Sequence, residues 1–296
     1  MKLKGLLILF GLSICAVAAA QNLPVQLENL TAVQFKEAVK KSCKTVIIPI
    51  GVIEKHGAHM PLGTDVYYAR EIALRAAEKE YVVVFPWYYF AQINEARHQP
   101  GTIAYSPELL WKVLQETLDE LHRNGFEKII LYNGHGGNKS FLDYFVYCQL
   151  AEKRDYALYW YKPKKTFDPE VVKQVKTQTI DKVNQHAGHR ETSILKHIVP
   201  HLVDTSIANT QSGADLNRLG DLKNVYTSIW WYARFPNHYA GDGSQATAEA
   251  GALLVESAAS RFAETIKAVK ADKKTLKLMK QFYEESENPL NTKQPY

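Results

Sequence analysis

An α/β fold, with a mostly parallel central sheet covered by helices on both faces, is what this sequence predicts. Short apolar runs rich in β-branched residues recur along the chain, and stretches of helical spacing separate them. Two of those runs lead directly into glycine-rich loops that carry histidine and acids.

The elements follow in order. Residues 45–51 (TVIIPIG) are apolar and bounded by Gly51, which predicts a buried strand. Val66 to Glu80 has helical composition and spacing, and Tyr81 to Phe85 (YVVVF) reads as a second strand, stopped by Pro86. Ser106-Pro107-Glu108 is a helix start: a capping hydroxyl, proline in the first turn, and an acid at the positive end of the helix dipole. That helix runs to about Asn124, and Gly125 ends it. Lys128 to Tyr132 (KIILY) is a third buried strand, followed by a turn over 133–138, a helix to about Lys153 and a fourth strand at Tyr156 to Tyr161. From about Thr205 to Ala240 the chain is rich in Asn, Gly, Asp and aromatics, with Trp230 beside Trp231. Long loops are expected there, roofing a pocket or meeting another subunit. Ser244 to Lys270 returns to an alanine-rich helical pattern, and the basic run Lys267 to Lys280 reads as a solvated helix face. With no internal repeat and no linker, residues 21–296 are expected to form a single domain.

The first twenty residues stand apart. Lys2 and Lys4 precede an apolar run from Leu6 to Val17, and Ala18 and Ala20 supply the small-x-small pattern of a cleavable signal peptide. Residues 1–20 are therefore expected to be removed before Gln21, leaving a secreted or periplasmic protein. The run falls short of the ~20 apolar residues of a spanning helix, and no other stretch approaches that length, so no membrane partner is expected. Losing Lys2 and Lys4 lowers the formal net charge from +5 to +3. No Lys/Arg stripe interleaved with aromatics is present, which argues against nucleic acid as a partner. Cys43 and Cys148 could pair in an oxidising compartment, but spacing alone does not place them.

Three segments carry chemistry. After the first strand, Glu54, His56 and Asp65 lie within twelve residues of a loop too rich in Gly and Pro to be helix. Glu54 and His56 are two apart, so in extended backbone they project to one side. Carboxylate with imidazole is the ligand mix of Zn, Mn or Fe rather than Ca, and Asp65 can offer one oxygen to each of two ions. After the third strand, Asn133-Gly134-His135-Gly136-Gly137-Asn138 surrounds one histidine with glycines that permit close backbone approach. Loops after the strands of an open parallel sheet converge at its carboxyl edge, which brings these two segments into one site. The third segment, His186-Ala187-Gly188-His189-Arg190-Glu191-Thr192-Ser193, opens a helix and supplies groups that could act as proton donor, base or further ligand. Taken singly, His59 or His189 is more readily structural, and the 133–138 loop could cradle a phosphate. There is no G-x-S-x-G elbow, no H-E-x-x-H and no cysteine in a histidine-rich context, so metal-activated water is the better nucleophile.

Glu54-x-His56-Gly57-x-His59-x-Pro61-Leu62-Gly63-Thr64-Asp65, the 133–138 loop and His186-Ala187-Gly188-x-x-Glu191-Thr192-Ser193 resemble the creatininase (creatinine amidohydrolase) family. His98 before Pro100-Gly101-Thr102, and Gly241-Asp242 with Ala246 to Glu249, fit the same order, so the resemblance runs over about residues 25–270. It implies a three-layer α/β/α sandwich, a centre of one or two divalent ions (Zn, Mn or Fe) and a homo-oligomer, commonly a hexamer. It also implies that a metal-bound hydroxide cleaves a C–N bond of a small cyclic or linear amide. By position, Glu54, His56, Asp65 and His135 correspond to metal ligands, with Asp65 as the bridge, and His186 to the catalytic histidine. Creatininase proper has a Tyr and then a metal-binding Glu directly after the ligand histidine, where this chain has Gly136 and Gly137. Glu191 is expected to replace that ligand or to help His186 move protons. The family's Trp-Asp pair before the catalytic histidine is also missing, with Lys182 and Val183 in that stretch. Creatinine is therefore not the expected substrate. The alternatives are a non-catalytic periplasmic protein holding a small polar ligand in the same pocket and, more weakly, a phosphate- or nucleotide-binding protein.

Overall fold

A computed structural model describes residues 23–176 and 183–292; the expected signal peptide at 1–20 and Lys182 lie outside the described residues. Thr31 starts helix α1 (Ala32–Lys41) with a reciprocal cap: its hydroxyl accepts from Gln34 N–H, and the Gln34 side chain accepts from Thr31 N–H. The chain continues through β1 (Thr45–Ile50), α2 (Thr64–Lys79), β2 (Val83–Val84), α3 (Pro107–Arg123), β3 (Lys128–Asn133), α4 (Lys139–Cys148) and β4 (Ala157–Trp160). Then come α5 (Pro169–Lys176), α6 (His189–Ile198), the short α7 (Trp230–Arg234), α8 (Ala248–Ala271) and α9 (Thr275–Glu287).

The strands lie in the order β2-β1-β3-β4, all parallel, with Ile47 opposite Ile130 and Ile50 opposite Asn133. Because side chains alternate along a strand, the apolar runs feed two cores. Val46, Ile48, Ile129 and Leu131 face Leu114 and Leu118 of α3 and Phe145 of α4. Ile47, Ile130 and Tyr132 face Ile72 of α2, Ile194 of α6, and Leu254 and Phe262 of α8. The fold is the three-layer α/β/α sandwich.

Four boundaries differ from expectation, the first being that α2 begins at Thr64, so that Asp65, expected in a loop, lies in its first turn. The strand expected at 81–85 pairs as a ladder only at Val83 and Val84; Phe85 adds one bond to Ile47 O before Pro86, which has no N–H to give. The helix expected to reach Lys153 ends at Cys148 and tightens into a 3-10 turn over Gln149–Ala151. The basic run Lys267–Lys280 is split, because Asp272 accepts from Lys274 N–H at 2.7 Å and starts a new helix, while Lys270 turns inward to donate to Tyr81 O at 2.7 Å. Cys43 and Cys148 are both free thiols.

Two glycines set the position of α2. A Cβ on Gly51 would stand 2.6 Å from Asp65 C, and one on Gly134 2.6 Å from Asp65 O. Only bare backbone at the ends of β1 and β3 lets the first turn of α2, carrying Asp65, lodge against both.

Candidate metal centre

At the carboxyl edge of the sheet, the loop after β1 presents Glu54 and His56, α2 presents Asp65, and the loop after β3 presents His135. All four side chains are buried. His135 Nδ1 lies 2.8 Å from Glu54 Oε1 and 3.0 Å from Asp65 Oδ2. The other Asp65 oxygen, Oδ1, lies 3.2 Å from His56 Nε2. Glu54, Asp65 and His135 offer ligand atoms within 4.8 Å of one another, and so do His56, His186 and Glu191. Asp65 thus turns one oxygen to each cluster, and every residue singled out from the sequence as ligand or proton carrier stands in one place.

Backbone carbonyls assign the ring protons. His186 Nε2 is 2.9 Å from Lys55 O; a carbonyl only accepts, so Nε2 carries the hydrogen and Nδ1 is left as acceptor. His56 Nδ1 faces Glu54 O at 3.3 Å and so carries a hydrogen, which turns Nε2 toward Asp65 Oδ1 at 3.2 Å. The backbone of His186 is itself pinned by paired bonds with Ala240 at 3.2 and 2.9 Å. Glu191, in the first turn of α6, accepts the Ala187 N–H at 2.7 Å.

The electrostatics ask for positive charge. Burial alone would raise the Glu54 carboxyl, but His135 and His186 outweigh it and hold its pKa well below the usual range. Burial works against a charged His56, yet Asp65 and Glu54 raise its pKa to about 9; burial works against a charged His135 too, yet Glu54 and Asp65 hold its pKa well above 6.5. His186 goes the other way, kept well below 6.5 by burial and by the charge on His56. Burial raises Glu191.

Two histidines of the motifs stand outside the donor clusters. His59 Nε2 is 2.9 Å from Thr192 Oγ1, whose own proton goes to Ala187 O at 3.0 Å, so His59 donates and ties the first motif to the third. His189 is fully buried at the start of α6. Sequence reasoning missed two residues. His238 donates from Nε2 to Glu54 Oε2, while its Nδ1 accepts the Trp231 indole N–H at 2.9 Å. Glu95 approaches His135 Nε2 at 3.6 Å. The missing acid at position 137 was a signal to search for another carboxylate; nothing in the spacing around His238 marks it.

A cavity of about 1010 Å³ borders Asp65, His135, His186 and Glu191 of the centre, and its lining includes Tyr226, Trp230, Trp231 and Tyr232 as well as Gln92, Glu95 and Gly137. A chamber of about 280 Å³, reaching Tyr68, Tyr132 and Arg190, shares Asp65, His135, Gly136 and Glu191 with it.

The model of the family described as "Creatininase: Creatinine amidohydrolase" matches residues 28–266. Creatinine amidohydrolase of Pseudomonas putida is 28% identical over 191 residues, 60% of this chain and 72% of that protein. A mycofactocin precursor peptide peptidase of Mycolicibacterium smegmatis is 31% identical over 162 residues, 52% of this chain and 58% of the relative. The chain thus spans less than two thirds of the peptidase's length. Solved creatininase structures, including one titled "Creatininase Mn" and a mutant of the Zn-Zn type, superpose with a TM-score of 0.70 at 22% identity. They cover 84% of this chain and 99% of theirs.

Proposed function

The chain belongs to the creatininase family, and from that premise we propose that it is a metal-dependent amidohydrolase acting on an amide other than creatinine. One observation carries the metal reading. Glu54 Oε1 and Asp65 Oδ2 are buried, converge on one imidazole nitrogen and have no hydrogen bond among the described residues. Buried carboxylate oxygens left this way are costly unless a cation joins them. Two carboxylates with imidazoles suit Zn, Mn or Fe. Glu54, Asp65 and His135 would hold one ion; His56, Asp65 and Glu191 would hold a second.

A bound divalent ion lowers the pKa of its water from ~15.7 toward ~7 and polarises an amide carbonyl. The protein's own groups do the rest. Asp65 keeps the two donor clusters at a fixed separation because the first turn of α2 is lodged against the ends of β1 and β3. His186 is neutral, with Nδ1 as its acceptor, so it can take a proton from the attacking water and deliver it to the leaving nitrogen. The aromatic side chains Tyr226, Trp230, Trp231 and Tyr232 line the cavity in which that transfer would take place.

Creatinine is set aside because Gly136 and Gly137 stand where creatininase proper has a Tyr and a metal-binding Glu. A Cβ at Gly136 would meet nothing within 4 Å, so a substrate larger than a five-membered ring can pass over that turn. The mycofactocin peptidase relative supports an amide with a longer acyl or amine side.

The test is elemental analysis of the purified protein, followed by a screen of Zn- and Mn-loaded samples against lactams, formamides and short peptides. Stoichiometric metal is expected, with turnover that chelation abolishes and that His186→Ala loses while keeping its metal. Absence of bound metal, together with turnover indifferent to chelator, overturns the reading.

A further inference from the structure

We propose that Glu95 is a positioning residue of the metal centre: its carboxylate enters where Gly137 has no side chain, faces Nε2 of His135, and so fixes which ring nitrogen His135 turns to the cation. The inference rests on the metal reading above and adds a residue that the donor set does not contain.

The His135 ring has two sides. Nδ1 faces Glu54 Oε1 and Asp65 Oδ2 at 2.8 and 3.0 Å, inside the donor cluster. Nε2 faces away from it, is buried, and has no hydrogen bond among the described residues. Glu95 Oε1 stands 3.6 Å from it, an ion-pair distance that a small side-chain rotation turns into a hydrogen bond. A carboxylate there assigns the imidazole proton to Nε2, leaves the Nδ1 lone pair for a cation, and makes that nitrogen a stronger donor.

Gly137 makes the approach possible. A Cβ on it would lie 2.6 Å from His135 Nε2 and closer still to Glu95 Oε1, nearer than a real Cβ ever stands to either atom. Any side chain at 137 therefore expels the Glu95 carboxylate. The carboxylate is also held from behind. Gln92 Nε2 donates to Glu95 Oε2 at 2.9 Å and to Gly137 O at 3.3 Å, and Gln92 N–H donates to Asn138 Oδ1 at 3.3 Å. The turn at 92–95 is clamped to the turn at 137–138, so the absent side chain and the arriving acid are one arrangement. Where creatininase proper carries an acid just after its ligand histidine, this chain brings one to the same histidine from a different loop.

The experiment measures Zn²⁺ affinity by chelator competition, and the visible spectrum of the Co²⁺ form, for the wild type, Glu95→Gln, Glu95→Ala, Gly137→Ala and the double variant Glu95→Ala/Gly137→Ala. Glu95→Ala is expected to bind Zn²⁺ ~10–100-fold more weakly with a shifted Co²⁺ spectrum. Glu95→Gln, which keeps an acceptor oxygen, is expected to lose less. Gly137→Ala, whose Cβ would also press on the His135 ring, should lose at least as much as Glu95→Ala, and the double variant should be no worse than Gly137→Ala alone, because both changes remove the Glu95 interaction. Wild-type affinity and spectrum in Glu95→Ala, or fully additive losses in the double variant, overturn the inference while leaving the metal centre in place. A wild-type chain that binds neither ion overturns the metal reading, and this inference with it.

Discussion

The two ends of β3 bury polar groups in opposite ways. At its start, the Lys128 ammonium is buried but donates to Val269 O at 3.0 Å and Lys270 O at 2.8 Å. Those are carbonyls of the last turn of α8, at its negative end, and Val269 O also accepts the Asp272 N–H at 3.1 Å. Beyond the other end, Glu54 Oε1, Asp65 Oδ2 and His135 Nε2 are just as buried, and no hydrogen bond reaches them among the described residues. Burial is common to both ends, so burial does not mark the functional one. Completeness of partners does: the amino end is satisfied and serves the fold, whereas the carboxyl end has metal-ligand atoms converging on one another without a hydrogen bond among the described residues.

The largest effect that could break this contrast lies at Asp65. Asparagine keeps the shape but removes the charge and one of the two oxygens that face the His56 and His135 clusters. Metal affinity is expected to fall well beyond the ~100-fold typical of an outer-shell partner, and kcat/KM with it, while the metal-free protein keeps its fold. Elemental analysis beside a thermal melt of the metal-free form checks both halves. If Asp65→Asn unfolds that form, the carboxyl end serves the fold as the amino end does, and the contrast disappears.

His59 tests the same distinction within the first motif. It sits among the histidines of the centre, and its Nε2 has a bond to Thr192 while its Nδ1 has none among the described residues. Burial, then the charge on His56, lowers its pKa to about 4. Its folded pKa is depressed, so the unfolded chain takes up the proton first as pH falls. The stabilisation is whole above about pH 6.5, declines below it, and is gone once pH passes about 4. At ~1.4 kcal/mol per pH unit the difference amounts to ~3 kcal/mol. Urea unfolding of metal-free protein at pH 7 and pH 4.5 should show the wild type losing more stability than His59→Gln; equal losses would count against this role.

Lys128→Met is expected to have a smaller effect, confined to the amino end. It takes the ammonium donor from Lys270 O and leaves Val269 O with the Asp272 N–H alone, which costs ~1–3 kcal/mol of stability. Zn²⁺ affinity should not change. A lowered affinity would mean that the two ends of the strand are mechanically coupled.

What could be read from the sequence follows the same division. β1 and β3 were legible over nearly their whole length, because a strand buried on both faces is a continuous apolar run. Glu54, His56, Asp65 and His135 were legible as a group because they follow those strands, and a parallel sheet collects such loops at one edge. β2 was overestimated, since an apolar run says nothing about how many of its residues find a neighbour before a proline intervenes. Glu95 and His238 were illegible for a different reason. Glu95 matters because of the room left at Gly137, and His238 because Trp231 and Glu54 lie on either side of it. Those are facts of three-dimensional contact between segments with no shared periodicity.

The smallest expected effect concerns the aromatic roof, where the contrast can be sharpened most finely. The indole of Trp231 donates to His238 Nδ1, so that nitrogen must be the acceptor and Nε2 must carry the hydrogen it gives to Glu54 Oε2. Glu54 Oε1 is thereby left to the His135 side. Trp231→Phe keeps most of the ring's packing and removes only the donor, which frees His238 to exchange tautomers. The loss of one such bond corresponds to ~1 kcal/mol, or about a fivefold weaker hold on Zn²⁺, with the fold intact. Chelator competition resolves a change of that size. A loss as large as that of Asp65→Asn would place the indole within the centre itself rather than behind His238. An unchanged affinity would mean that Glu54 keeps its orientation without the roof, and that the completeness of partners which separates the two ends of β3 does not extend outward to residue 231.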